Sequence, residues 1–384
     1  MSIVGISSSL IIWLWLLIFW GGFWRADRRL DAAEQMLSAY PTVWAVVPAR
    51  NEAEAIATSL TSLLNQDYPG NFSVVSIDDH SSDRTSEIAL ATAKKLDKNT
   101  SLKILSGKPL AEGWKGKLWA MHQGIEYAQQ QLPTPDYFLF TDADIKHDLN
   151  NLTQLVTKAE TEDLELVSLM VRLKCASFWE KLLIPAFIFF FQKLYPFSWV
   201  NNSRKTIAAA AGGCILISNQ ALTDIGGIAA IKAALIDDCS LAKAVKSQSK
   251  NIWLGLSETT LSLREYDRLK TIWDTIARTA YTQLNYSPLL LIGTVIGMIL
   301  TYLAAPISLG YGILYHSWLM ISISLLTWLL MAIAFLPTIR LYNLSIVWAL
   351  SLPAIALLYT LMTIDSAIKY YQGKGGSWKG RTYY

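Results

Sequence analysis

Cysteine and histidine are scarce in this chain, at three and four residues of 384. Cys175, Cys214 and Cys239 are scattered and lack zinc or disulfide spacing, which excludes a stapled secreted scaffold and a zinc module. They read as small buried hydrophobes in a reducing compartment. His80, His122 and His147 have no partner at ligand spacing and read as neutral surface or loop residues. Neither a G-x-G-x-x-G run nor a P-loop follows the first apolar stretch, so the commonest glycine-rich phosphate cradles are missing. Net charge is also small: 33 Lys and Arg against 30 Asp and Glu leave +3, with no long basic run. Electrostatics therefore make no case for a nucleic-acid partner. No internal repeat or low-complexity segment is present.

Charge is absent altogether from Met1 to Trp24, and Arg25, Arg28 and Arg29 follow at once. A bilayer crossing takes ~20 apolar residues. The stretch has neither the basic start nor the small-residue cleavage site of a secretory signal, so residues 1–24 are expected to be a retained N-terminal transmembrane anchor. A second apolar region, residues 287–366, holds about three further candidate spans, broken only by His316 and Arg340–Asn343. Trp13, Trp15, Trp20, Trp24, Trp318 and Trp348 fall in or beside these spans, as interfacial tryptophans do. The arginines after the first span place residues 25–286 in the cytoplasm, giving a multi-pass protein of the inner (plasma) membrane. Four crossings would put the polar tail, residues 367–384 with Lys369, Lys374, Lys379 and Arg381, on the opposite side. Either one C-terminal segment is re-entrant or the charge bias of the tail is overridden.

Between the apolar regions, strand-like runs alternate with helical ones. Val43–Ala49, Phe72–Ile77, Leu102–Leu105, Tyr137–Thr141 and Leu164–Val171 are strand-like. Glu52–Leu64, Ser82–Leu96, Leu118–Gln130 and Leu152–Ala159 are helical. This alternation predicts an α/β domain with a mostly parallel sheet and helices on both faces. Ligands of such sheets bind beyond the carboxyl ends of the strands. Three polar clusters fall there: Pro48-Ala49-Arg50-Asn51-Glu52, Asp78-Asp79-His80-Ser81 and Asp142-Ala143-Asp144. Asp142 and Asp144 end an apolar run, and hard oxygen ligands of this kind suit Mg²⁺ or Mn²⁺ shared with a diphosphate. Ser81, Ser82 or Asp83 would also serve as an N-cap. Asp237-Asp238 opens a helix-like stretch, where an acid is favoured as a cap and could equally act as a general base.

Two further segments border the domain. Leu182–Phe191 is ten apolar residues, four of them Phe, too short to span. With its aromatics and flanking lysines, the region near 178–200 is expected to be an interfacial helix, a core helix being the alternative. Residues 268–284 read as a second interfacial helix. Together they could floor a site open to a lipid acceptor.

In order, V-V-P-A-R-N-E, I-D-D-H-S-S-D-R-T, F-T-D-A-D, G-G-C-I-L-I and I-D-D-C-S-L-A resemble the motif set of family 2 inverting glycosyltransferases of GT-A fold, over about Thr42 to Gly255. The segments G-W-K-G-K-L-W-A and A-R-T-A-Y-T-Q-L-N-Y-S-P, with the layout of spans, are similar to bacterial hopene-associated glycosyltransferases. The resemblance implies a GT-A (Rossmann-like) cytoplasmic domain plus transmembrane helices. It implies that Ala49, Glu52 and Asp79 hold the nucleoside of a nucleotide-sugar donor, and that Asp142 and Lys117 lie near its diphosphate. Asp144 would ligate the metal, Asp238 would be the general base and Asp237 an accessory carboxylate. The acceptor implied is a membrane lipid hydroxyl of hopanoid or polyprenoid type. Processive relatives carry Q-x-x-R-W, whereas Ile276–Gln283 here reads I-A-R-T-A-Y-T-Q, which argues against polymer synthesis and leaves the role of Arg278 open. The alternatives are another nucleotide-sugar-using or phosphosugar-transferring enzyme, or a degenerate membrane assembly partner.

Overall fold

The computed structural model describes residues 3–30, 37–374, 377–378 and 381–382. The elements run α1 (Ile3–Phe19), β1 (Val43–Ala49), α2 (Ile56–Leu64), β2 (Phe72–Asp78), α3 (Thr85–Lys95), β3 (Leu102–Ser106), α4 (Gly116–Gln129) and β4 (Tyr137–Thr141). They continue with β5 (Ile145–Lys146), α5 (Asn151–Thr161), β6 (Leu166–Arg172), α6 (Phe178–Leu194), α7 (Phe197–Val200), β7 (Cys214–Ser218), α8 (Asn219–Asp224) and α9 (Asp237–Ser247). After β8 (Ile252–Ser262) come α10 (Leu269–Gln283), α11 (Pro288–Met298), α12 (Ala304–Leu314), α13 (Trp318–Leu341) and α14 (Leu352–Tyr371), then a short antiparallel pair, β9 (Ser377–Trp378) and β10 (Arg381–Thr382).

One eight-stranded sheet has the order β3-β2-β1-β4-β7-β6-β8-β5. β1 lies parallel to both β2 and β4, β2 to β3, and β6 to β8. β7 runs antiparallel between β4 and β6, and β5 antiparallel to β8. The expected α/β sheet with helices on both faces is present, with one feature the alternation did not expose: the reversed strand β7 at its centre. Strand order turns back between β1 and β4, so a crevice opens there. The β1–β4 ladder ends at Val46 and Phe140. Pro48, which has no N–H to donate, follows just beyond.

Side chains alternate across the sheet with period two. Val43, Ala45 and Val47 of β1 join Leu139 of β4 in an apolar cluster with α2, α3 and α5. Val46, Phe138 and Phe140 point the other way, into a larger cluster. That second core contains Leu118 of α4, Leu183 and Phe189 of α6, Leu241 of α9, Trp13 of α1, Phe335 of α13 and Ile355 of α14. The α/β domain and the apolar helices therefore share one continuous core. α4 approaches the sheet closely at Gly124, where a Cβ would sit 2.5 Å from Ile77 Cδ1 and 2.7 Å from Val46 Cγ1.

Among the described residues, three helical segments are long and apolar enough to cross a membrane: Pro288–Leu314, Trp318–Leu341 and Ile346–Tyr371. α1 is shorter, with 17 residues. At 1.5 Å per residue it reaches about 26 Å, short of the ~30 Å hydrocarbon thickness. The first segment contains a π-helical turn, Ile299–Leu303, whose Thr301 carbonyl accepts the indole N–H of Trp13 at 2.7 Å. The last segment touches α6 and α10 at several points. Trp348 packs on Phe178 at 5.7 Å, Tyr359 Oη donates to the Leu183 carbonyl at 2.8 Å, and Lys369 pairs with Asp274 of α10 at 3.0 Å. Of the tail, Lys379 lies outside the described residues.

Several local expectations need correction. α2 begins at Ile56, not Glu52, because the loop after β1 is held by the polar run after β2. Asn51 N donates to Ser81 Oγ, Glu52 N to Thr85 Oγ1 and Ala53 N to an Asp83 carboxylate oxygen, at 3.0, 2.8 and 3.1 Å. Ser81, Ser82 and Asp83 thus tie two loops together; Arg84 stands at the N-cap of α3 without a side-chain capping bond, while the Asp83 carboxylate accepts the N–H of Thr85 at 3.0 Å. His147 is buried rather than on the surface; its ring contacts Thr141 Oγ1 at 2.9 Å and Asn151 Nδ2 at 3.0 Å. Burial pushes its pKa down to about 3, so it stays neutral.

Glu180 ties α6 to the domain. It completes a capping box with Ser177 and accepts the backbone N–H groups of Ala176, Ser177 and Tyr266 at 2.9, 2.8 and 2.9 Å. Burial alone would raise its pKa, but these donors hold the carboxyl below its ordinary value. Glu180→Gln is expected to cost about 1–3 kcal/mol of stability, read as a lower unfolding temperature in detergent. Because the folded-state pKa is the lower one, the contribution is present above the unfolded value and fades on acidification, so the two proteins should converge as pH falls through the carboxylate range.

Candidate active site

At the switch point, β4 ends in Thr141 and the chain turns at once through Asp142-Ala143-Asp144. Thr141 Oγ1 donates to the Gly213 carbonyl at 2.9 Å, which ties this turn to the start of β7. The Asp144 carbonyl accepts the N–H of Leu263 at 2.7 Å, at the end of β8. α4 brings Lys117 in from one side and the first turn of α9 brings Asp237 and Asp238 from the other. Lys117 Nζ lies 2.9 Å from Asp142 Oδ1 and 3.0 Å from Asp237 Oδ2. One lysine therefore bridges the end of β4 and the start of α9, residues 95 positions apart in sequence.

Asp238 sits behind this bridge. One of its carboxylate oxygens accepts the N–H of Gly212 at 2.9 Å, the other that of Cys239 at 2.7 Å. Desolvation and the neighbouring Asp237 charge push its pKa up to about 6, against the lowering pull of Lys117 and the two N–H groups. Burial on its own would lower the Lys117 pKa, but the charges of Asp142 and Asp237 hold the ammonium well above the ordinary lysine value. The cluster is a positive centre ringed by carboxylates, one of which is poised to exchange a proton near neutral pH.

A cavity of about 180 Å³ opens on this cluster, lined by Glu52, Lys117, Asp142, Asp144 and Asp237 together with Arg264 and Arg278. Asp238 lines the adjoining crevice with Pro48, Lys117 and Asp142. Beside it lies a larger cavity of about 1160 Å³. The two share Lys115, Ala234, Leu235 and Arg278 in their walls. The larger one runs between α9, α10 and the end of α14, reaching Tyr281, Tyr286 and Tyr370.

Six of the sequence-derived positions, Glu52, Lys117, Asp142, Asp144, Asp237 and Asp238, thus border one connected space. Ala49 and Asp79 do not line it. Ala49 is packed in the core and its carbonyl accepts the Asp79 N–H at 2.8 Å. Asp79 is 2% exposed beneath Arg50, whose guanidinium lies 3.7 Å from its carboxylate. Both stand at the strand ends beside the cavity. Arg264 was missed by sequence reasoning, since nothing local marks an arginine in the loop after a long strand. Arg278 entered only as an undecided cation.

Among the described residues no three His, Cys, Asp or Glu side chains converge as a metal cage. The donor set of Asp142 and Asp144 has the chemistry of a cation that takes its remaining ligands from a diphosphate and water: two hard carboxylates at one strand end, lining one cavity.

Residues 44–226 match the family model described as Glycosyl transferase family 2. The match takes in just under half of the chain and makes that part similar to a glycosyltransferase domain. Among curated proteins, it is 37% identical over 100 residues to Beta-monoglucosyldiacylglycerol synthase of Trichormus variabilis, covering 26% of this chain and 20% of that one. It is 32% identical over 128 residues to Probable glycosyltransferase YdaM of Bacillus subtilis, covering 31% of this chain and 29% of the relative. The alignments thus span less than a third of these relatives. Among solved structures, the mannosyltransferase PcManGT of Pyrobaculum calidifontis, in complex with GDP-Man and Mn²⁺, superposes with a TM-score of 0.54 at 18% identity. It covers 95% of this chain and 99% of that one. That likeness is one of fold.

If Asp238 works as a base, turnover should rise with pH through about 6, where it ionises, and fall below. Lys117→Met removes the cation that favours its ionised form, so the acidic limb of the kcat–pH profile should move to higher pH. A fall in kcat of about 10²-fold is expected alongside. An unmoved limb would break the link between Lys117 and Asp238.

Proposed function

We propose that this chain is a membrane-anchored inverting glycosyltransferase that moves a sugar from a nucleotide-sugar donor to the hydroxyl of a membrane lipid. The observation that carries the reading is the pair of connected cavities. The smaller is walled by carboxylates and cations suited to a sugar diphosphate. The larger shares Lys115, Ala234, Leu235 and Arg278 with it and runs past Cys239, next in sequence to Asp238, between α10 and the end of α14. At about 1160 Å³ it exceeds the ~300–1,000 Å³ of ordinary small-molecule sites and suits an amphiphile.

In this reading the donor diphosphate lies against Lys117, Arg264 and Arg278, whose charges balance the negative charge of the departing group. Ala49, Glu52 and Asp79 stand on the nucleoside side. Asp142 and Asp144 would hold Mg²⁺ or Mn²⁺, which supplies Lewis-acid neutralisation of the leaving diphosphate when bound. PcManGT, bound to GDP-Man and Mn²⁺, supports both the donor class and the metal. The acceptor oxygen attacks the anomeric carbon as the bond to the diphosphate breaks, and its proton passes to Asp238. The nucleoside diphosphate leaves, and the anomeric configuration inverts. Asp237, held by Lys117, keeps a second negative charge beside the base. The lipid acceptor draws support from the apolar segments and from the monoglucosyldiacylglycerol synthase relative; a hopanoid or polyprenoid acceptor rests on the motif resemblance alone.

The domain lies on the cytoplasmic face of the inner membrane, after an N-terminal anchor over residues 1–24. The contacts of Ile346–Tyr371 favour a re-entrant course. A helix leaving the domain for the far side of a bilayer would touch it at one end, whereas this one touches at Trp348, Tyr359 and Lys369. The basic tail then stays on the same side as the domain, in keeping with its charge. A green fluorescent protein fused to the C-terminus should fluoresce in cells and a periplasm-dependent phosphatase fusion should be inactive; the reverse would mean a full crossing.

Purified protein incubated with a panel of nucleotide sugars and bacterial lipid extract should yield a glycosylated lipid by mass and free nucleoside diphosphate. Release of pyrophosphate would favour a nucleotidyl transfer instead. Asp144→Asn should abolish metal-dependent transfer in a folded, inserted protein. Asp238→Asn should retain donor binding with transfer reduced by ~10²–10⁴-fold, and unchanged turnover would refute the base.

A further inference from the structure

A cavity of about 350 Å³ lies far from the carboxylate cluster, at the end of α1. Its wall is made by Leu17–Phe19, Gly21–Phe23, Arg25 and Arg28 on one side and Gln192, Ser198 and Trp199 on the other. Gly21 and Gly22 both adopt left-handed backbone, which turns the chain sharply out of α1. A Cβ on Gly21 would meet Pro196 Cβ at 2.7 Å, so the turn is pressed against α7. Trp20 packs on Trp199 at 4.9 Å and Trp15 on Trp20 at 5.1 Å, an aromatic cluster of the kind found at the bilayer–water boundary.

Gln192 is the telling residue. It is 2% exposed, lines this cavity, and its side-chain amide nitrogen makes no hydrogen bond. A buried amide donor without a partner has lost its hydrogen bond to water and gained none, and in a cavity wall it is free to meet an acceptor from outside the chain. Arg25 and Arg28 add two guanidinium groups at the mouth. Asp27 also lines it and lies 3.7 Å from Arg28, leaving a net positive site. Below the mouth, α1 turns a column of exposed apolar side chains outward, with Ile11, Ile18 and Phe19 each about two-thirds exposed.

From this combination we infer that the cavity binds the phosphate group of an anionic membrane phospholipid, with its acyl chains running down the outer face of α1. The phosphate oxygens accept from the Gln192 amide and from Arg25 and Arg28, as basic pockets beside membrane helices do for anionic head groups. The apolar column commits the ligand to a lipid rather than a free anion. The site would seat the end of α1, and α7 beside it, at the cytoplasmic surface, independently of donor or acceptor. The inference rests on the membrane reading above, which flotation of the chain with liposomes reports separately.

The test is native mass spectrometry of the full chain in neutral detergent, titrated with phosphatidylglycerol and, in a second arm, with inorganic phosphate as competitor. Wild type should retain one phosphatidylglycerol that inorganic phosphate does not displace. Arg25→Gln with Arg28→Gln, both exposed side chains, should weaken retention by about tenfold or more, and Gln192→Leu should do the same. If Gln192→Leu proves unstable, the arginine pair alone decides. Wild-type retention by the double arginine variant would overturn the site. Displacement by inorganic phosphate at comparable concentration would overturn its assignment to a lipid.

Discussion

Lys117 holds the centre of this molecule together electrically. Asp142, Asp237 and Asp238 come from elements far apart in the chain, and three carboxylates gathered at one point repel each other unless a cation stands among them. The lysine reaches Asp142 and Asp237 at once and still pulls on Asp238. Its own position depends on α4 lying close to the sheet, which Gly124 permits by offering no Cβ to Ile77 and Val46. A packing detail on one face of a helix thus sets the charge balance at its first turn. On the proposed reading, an incoming donor diphosphate would compete with these resident carboxylates for the same lysine.

The second constraint is the shared core. The sheet face that carries Phe138 and Phe140 is continuous with α6, α13 and α14. α6 lies between the strands and the apolar helices, fastened at its start by Glu180 and joined to α14 by the Tyr359–Leu183 bond. α10 is fastened in turn: Trp273 donates to Asp365 at 2.7 Å and Lys369 pairs with Asp274. These ties fix the walls of the large cavity relative to α9, which carries Asp238. The shared core holds the apolar helices and the strand ends in register, which the proposed meeting of lipid acceptor and nucleotide donor would require.

Much of this was legible in the residues. Alternation of apolar runs and helical periods marked β1 to β4 with α2 to α5, because each must bury one face. The strand-end rule then collected Glu52, Asp142 and Asp144. The expected interfacial helix near 178–200 contains α6, whose apolarity serves a core shared by the domain and the apolar helices. Other features were invisible because they depend on partners remote in sequence. β7 reads as an apolar pentamer with no sign of direction, and only pairing with β4 and β6 reverses it. Arg264 is one more charged residue until β8 carries it to the cavity. Asp79 sits in an acidic doublet like a ligand, yet the fold buries it under Arg50.

From composition and periodicity alone came the division into an apolar start, an α/β domain and an apolar end, together with the acidic pairs at strand ends and at one helix start. Those features are local: they follow from which side chains can leave water and which cannot. What the tertiary structure decided was which charges meet, which carboxylate is desolvated enough to titrate near 6, and where the large cavity opens. It also supplied the contacts of Ile346–Tyr371 with α6 and α10, which its hydropathy does not announce. Such outcomes depend on distances between elements, and a linear pattern of polar and apolar residues does not carry distances.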